Sequence, residues 1–117
     1  MTNDQINKAI SLELGWKPYE HQAEGLWSLI DTENNIVGRH SRGGISEDHC
    51  WAVCNLDFCN DHNAVAEMRK AIKPEERVDF FIKLMRIVGH GYFDMLNATP
   101  RQQAEAFLRM RGKWVEA

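Results

Sequence analysis

The sequence predicts an α+β fold in which a small antiparallel sheet of about three strands is layered with four helices, a helix–sheet–helix sandwich. Three observations lead there. Apolar residues recur at helical spacing near the N-terminus and through the second half, but not across residues 17–58. That middle segment holds short apolar runs separated by turn-forming clusters. Two helix starts carry capping signals, Thr2 with Gln5 and Thr99-Pro100 with Gln102.

The first helix is expected over Asn3 to Leu14, with Ile6, Ala9, Ile10 and Leu14 on one face and Gly15 as its stop. Lys17-Pro18 breaks it. Leu26 to Ile30 reads as a strand, Asp31 to Asn35 as a turn, and Ile36-Val37 as the returning strand of a hairpin. His40 to Asp48, with Gly43-Gly44, is expected as an exposed loop. Trp51, Val53, Leu56 and Phe58 mark a third, imperfect strand within Cys50–Phe58. Asn60 or Asp61 can cap a helix from His62 to Lys73, with Val65, Met68 and Ile72 buried. Pro74 suits the start of the next helix, whose apolar stripe is Val78, Phe81, Ile82, Met85 and Val88 and whose stop is Gly89. The last helix begins at the Thr99 cap, turns Ala104, Phe107 and Leu108 inward, pairs Glu105 with Arg109, and stops at Gly112.

A chain of 117 residues fits one domain, residues 1–117. Its 44% apolar and 26% charged residues are ordinary for a globular protein, which argues against disorder. Residues 1–60 carry 9 acids against 4 bases, and residues 61–117 carry 8 against 10, with no long block of one sign. That disfavours a basic nucleic-acid arm and an acidic DNA-mimicking tail. No stretch reaches the roughly 18 apolar residues that a membrane span needs. The opening MTNDQINKAI lacks the basic and apolar regions of a secretion signal. A cytoplasmic location with Cys50, Cys54 and Cys59 reduced is therefore expected.

Three blocks resemble a known family. Asp4 to Ile10 followed by Leu14-Gly15-Trp16, Asn60 to Ala64 running into a helix with Glu67 and Lys70, and Ala98 to Arg109 followed by Gly112-Lys113-Trp114 look like successive motifs of the phage ABA sandwich domain. They occur in the family's order and bracket nearly the whole chain. The segment 17–58 departs from the family in length and in its Cys and His content, and His62 stands where leucine is commoner. The resemblance implies a small phage or prophage protein with helix–sheet–helix layering, and it implies no reaction.

Several clusters could carry chemistry. His49-Cys50-x3-Cys54-x4-Cys59-x2-His62, with His40 nearby, has zinc-preferring donors. Its spacing lacks paired knuckles, and a strand at 50–54 would hold Cys50 and Cys54 about 13 Å apart. No metal ligand and no cofactor is therefore expected, and the thiols read as small packed hydrophobes. Cys59 with His62 or His49 could pair as nucleophile and base, but no pattern orients the base or supplies an oxyanion hole, so no catalytic residue is assigned. Glu75/Glu76 and Asp57/Asp61 fit dipole and capping roles. Arg39 to Gly44 lacks phosphate-loop order. Arg109, Arg111 and Lys113 complement the C-terminal dipole of the last helix, with a weak nucleic-acid or acidic-protein contact as the sharper reading.

The resemblance, the small size and the lack of catalytic motifs suggest a non-enzymatic phage or prophage accessory protein that binds a host protein, protein complex or nucleotide signal, such as an antagonist of a host defence system like CRISPR-Cas. Nucleic acid is the lesser candidate partner, and no membrane is implied. A virion or assembly component, or a small Cys/His zinc-binding nucleic-acid module, is the alternative. The working surface is expected in residues 17–58, where Trp27 or Trp51 with Arg39 or Arg42 would contact the partner, because loops on a rigid scaffold concentrate binding residues. Trp16 and Trp114 are expected to pack at the layer edges.

Overall fold

The computed structural model describes residues 1–21, 25–39 and 43–116. Arg42 and His40 lie outside the described residues. The fold is α+β. A three-stranded antiparallel sheet is accompanied, among the described residues, by six α-helices and one short 3-10 turn. The chain divides into two compact units, residues 11–56 and residues 1–10 with 57–117.

Helix α1 (Asn3–Glu13) supplies residues to both units. Its start is the expected reciprocal cap. The Gln5 amide donates to Thr2 Oγ1 at 3.2 Å, and the Thr2 amide donates to Gln5 Oε1 at 2.8 Å. Ile6 and Ile10, one turn apart, are fully buried.

In the 11–56 unit the sheet order is β1 (Lys17–His21), β2 (Leu26–Ile30), β3 (Ile36–Val37). The expected hairpin is β2–β3, with Leu29 opposite Val37. Asp31 Oδ1 closes its turn by accepting the Asn35 and Glu33 amides, and these bonds, the Asn35 one foremost, hold the carboxyl below its ordinary range. The third strand is not where the sequence placed it. It is β1, which pairs with β2 from Lys17 opposite Ile30 to His21 opposite Leu26. Pro18 is tolerated because β1 is an edge strand, where a missing N–H need not break a ladder.

Cys50–Phe58, expected as a strand, instead contains helix α2 (Glu47–Cys54). Local chemistry explains the difference. Ser46 caps the helix by accepting the His49 amide at 3.1 Å, and Glu47 and Asp48 sit in the first turn where the dipole favours acids. The β-forming Trp51 and Val53 are outweighed because Cys50 and Cys54, four residues apart, share one buried face. They pack with Leu29 in a core flanked by Trp16, Trp27, Val37, Trp51 and Val53. Buried Ser11 and Asn55 satisfy each other through a 2.5 Å hydrogen bond.

In the other unit, Asn7 accepts the Phe58 amide at 2.8 Å and donates to Asp57 at 3.3 Å. Asp61 caps α3 (His62–Lys70), which ends earlier than Lys73 and buries Ala64, Val65 and Met68. A 3-10 turn, Pro74–Glu76, precedes α4 (Arg77–Val88). Helix α5 (Tyr92–Leu96), which the sequence pattern did not suggest, leads to α6 (Pro100–Met110). The Thr99 cap of α6 is closed in both directions, at 3.1 Å from the Gln102 amide and 2.9 Å from the Thr99 amide. Ala104, Phe107 and Leu108 are fully buried, as their spacing predicts. The helix count thus exceeds the expected four by α2 and α5. Among the described residues no helix is long and apolar enough to cross a membrane.

Candidate interaction surface

Helix α4 is apolar on more than one face. Projected at about 100° per residue, its apolar side chains span roughly 220° of the circumference, interrupted at the first turn by Arg77. A helix with one covered face ordinarily needs a stripe about half as wide. One part of the arc is used internally. Leu84 is buried with Ala98 of the α5–α6 link and Ala106 of α6, and Phe80, Ile87, Val88 and Met95 pack against them.

The remainder of the arc faces outward. Of the stripe seen in the sequence, Val88 packs internally, but Val78 is 72% and Phe81 51% exposed. Helix α5 extends this apolar face with Tyr92 (75%), Phe93 (75%) and Leu96 (61%). The Tyr92 and Phe93 rings meet edge-on at 6.2 Å between centroids. Phe81, His90, Tyr92, Met95 and Leu96 line a groove of about 450 Å³. The turn that brings α5 beside α4 depends on Gly89. Its φ of +108° is a backbone conformation other residues rarely adopt, and its Cα faces the Asp94 carboxylate.

The residues singled out in the sequence have other surroundings. Trp27 and Trp51 are half-buried and pack against the same Leu29–Cys50–Cys54 core. Arg39 is exposed, and its amide donates to the Cys54 carbonyl at 2.7 Å. Arg42 is outside the described residues. The apolar α4–α5 face was missed because a stripe at helical spacing does not say whether another element covers it. The available signal was the adjacent Tyr92-Phe93 pair just after Gly89-His90-Gly91.

Helix α2 puts Cys50 and Cys54 on one buried face, correcting the wide separation a strand would impose, and Cys59 and His62 belong to the other unit. His49 Nδ1 accepts the Ile45 amide at 3.0 Å. The Cys54 and Cys59 thiols point at the carbonyls of Trp27 and Asn3, each at 3.8 Å. Among the described residues no three His, Cys, Asp or Glu side chains converge as a metal would require. All three cysteines are free and buried. Burial, reinforced by neighbouring Cys54, pushes the Cys50 thiol up to about 12. Burial likewise pushes Cys59 up to about 11, against an opposing pull from Arg101. A nucleophilic cysteine needs the opposite shift.

Two further contacts resemble catalytic pairs and are better explained as structure. His21 Nε2 lies 2.9 Å from Ser28 Oγ, with Tyr19 edge-on to the imidazole at 5.1 Å. This is a tie between β1 and β2, and no other hydrogen bond orients the ring among the described residues. Glu76 grips Arg111 at 2.8 and 3.2 Å and accepts the Lys73 amide at 3.0 Å. That amide, then Arg111, hold its carboxyl below the ordinary range.

Comparison with protein-family profiles, with curated proteins and with solved structures finds no match to this chain.

Proposed function

We propose that the chain is a non-catalytic binding protein of the phage or prophage accessory kind, and that the α4–α5 apolar face is where a host protein docks. The single observation that carries this reading is the groove that sets exposed Phe81 of α4 beside exposed Tyr92 and Leu96 of α5, with Val78 and Phe93 also exposed on the same two helices. Contiguous exposed apolar patches mark interaction sites, whereas scattered apolar residues do not. Two helices bordering an aromatic groove suit an apolar face of a partner helix, read through side chains one turn apart. The raised thiol pKa values support binding over cysteine chemistry. The free cysteines support a reducing compartment such as the host cytoplasm. Antagonism of a host defence system such as CRISPR-Cas remains the version that the family resemblance suggests.

Site-specific photo-crosslinking in host cells tests the reading. A crosslinker at Tyr92 or Phe93 should capture one protein that crosslinkers at Trp51 or Arg39 do not. Replacing Phe93 by Ala should weaken the isolated complex by about 30-fold, as truncating an aromatic anchor does. Capture from Trp51 or Arg39 alone would return the site to the 17–58 segment. A homodimer that Phe81→Arg dissociates would show that a second copy, not a host protein, covers the face.

A further inference from the structure

On the polar side of α4, away from the apolar face, lies a second concavity. Lys83, Arg86 and Ile87 of α4, Glu105 and Arg109 of α6, and Gly112 and Trp114 beyond α6 line a cleft of about 550 Å³. That is within the range of small-ligand sites, roughly 300–1,000 Å³. Three cations face one lining carboxylate. Their engagement differs. Lys83 pairs with Asp79 at 3.4 Å, and Arg86 makes no ion pair among the described residues. Arg109 lies over the Trp114 ring at 5.1 Å and is held from below by Glu105 at its Nε, 3.2 Å away.

The third contact of Arg109 is of another kind. Its Nη2 binds Glu116 at 2.8 Å, and Glu116 is largely exposed, near the chain's end. This carboxylate is held below its ordinary range chiefly by the hydrogen bond from Arg109. The Trp114 indole nitrogen is buried and makes no hydrogen bond of good geometry. Glu116 therefore occupies a position where an anion is favoured, yet an exposed ion pair is worth at most about 1 kcal/mol and is easily displaced.

We propose that this cleft is a binding site for a nucleoside phosphate, and that Glu116 stands in for the ligand's anionic group in the free protein. Charge and shape select this class. Glu116 engages one nitrogen of Arg109, whose Nε already meets Glu105, and Arg86 of the same cleft has no ion pair among the described residues, so an anion that displaces Glu116 is offered both guanidiniums. A phosphate group has several oxygens suited to guanidinium and can engage the two together. The cleft is also too large for phosphate alone, and Ile87 and Trp114 offer its remaining volume an apolar and aromatic wall. The site is separate from the α4–α5 face, so it stands or falls apart from the proposed docking function.

The test uses the full chain labelled with ¹⁵N. The Trp114 indole cross-peak is identified by its loss in Trp114→Phe. AMP, UMP and ADP are titrated against adenosine and inorganic phosphate. Nucleotides should shift the Trp114 peak and saturate below about 1 mM. Arg86→Glu, at an exposed position, should weaken binding at least about tenfold while leaving the melting temperature unchanged. Glu116→Gln should strengthen binding, by up to about fivefold, because it removes the internal competitor. The proposal is overturned if nucleotides leave the Trp114 peak unmoved, or if both variants bind them like the parent. It is equally overturned if inorganic phosphate saturates the site at the same concentration as AMP, since no nucleoside is then recognised.

Discussion

Gly38 offers the sharpest test of the described packing. It follows β3 with φ at +76°, and a Cβ placed there would lie 2.1 Å from the Cys54 carbonyl oxygen and 3.3 Å from its carbon. That oxygen already accepts the Arg39 amide at 2.7 Å, so the strand exit and the end of α2 are joined at this point. Gly38→Ala incurs three costs. An L-residue in the left-handed region costs about 1–2 kcal/mol. Relieving a clash with backbone, which has no rotamer to change, costs about 1–3 kcal/mol. Stretching the Arg39–Cys54 hydrogen bond costs about 1 kcal/mol. A loss of about 4 kcal/mol is expected, a large part of the 5–15 kcal/mol typical of a domain. Gly25 is the control within the same unit. Its φ is +64°, but nothing lies within 4 Å of its added Cβ, so Gly25→Ala should cost only the backbone term, about 1 kcal/mol. Urea unfolding followed by tryptophan fluorescence suits the pair, since Trp16, Trp27 and Trp51 all pack on this unit's core. If the two variants unfold within about 0.5 kcal/mol of each other, the close approach of residue 38 to Cys54 is refuted.

Other outcomes follow from the helical unit and the thiols. Thr99→Ala removes the acceptor of the Gln102 amide and should lower stability by about 1 kcal/mol in a urea melt, with no effect expected if α6 started elsewhere. Phe107→Ala, at a fully buried position, should cost about 3–5 kcal/mol, and a loss under 1 kcal/mol would mean the site is not core. The thiols set an alkaline limit. Their ordinary pKa is 9.0, and folding raises Cys50 to about 12 and Cys59 to about 11. Below pH 9 both states keep these protons and the thiols leave stability independent of pH. Above it the unfolded chain releases protons that the folded chain retains, so stability falls as pH rises, by about 1.4 kcal/mol per pH unit for each thiol. The double variant Cys50→Ala, Cys59→Ala should show a shallower decline between pH 9 and 11 in parallel thermal melts. An identical slope would place those thiols in water.

What the sequence determined by itself is the local chemistry. The caps at Thr2, Asp61 and Thr99, the hairpin at Asp31–Asn35 and the inward face of α6 all depend on residues within one or two turns of each other. Such interactions are written in spacing. Where local signals competed, spacing was insufficient. Trp51 and Val53 suggested a strand, yet the Ser46 cap and the shared burial of Cys50 and Cys54 made a helix. Pro18 suggested a break, yet an edge position let β1 form. The tertiary structure alone decided which faces are covered. Helix α4 is apolar over so much of its circumference that its composition cannot choose the side α6 takes, and covering Leu84 left Val78 and Phe81 outside. The same holds for Arg86, Arg109 and Trp114. They are distant in sequence, and only the packing of α4 on α6 gives them a common cleft. Burial and convergence are relations between elements, fixed by long-range contacts that no window of sequence contains.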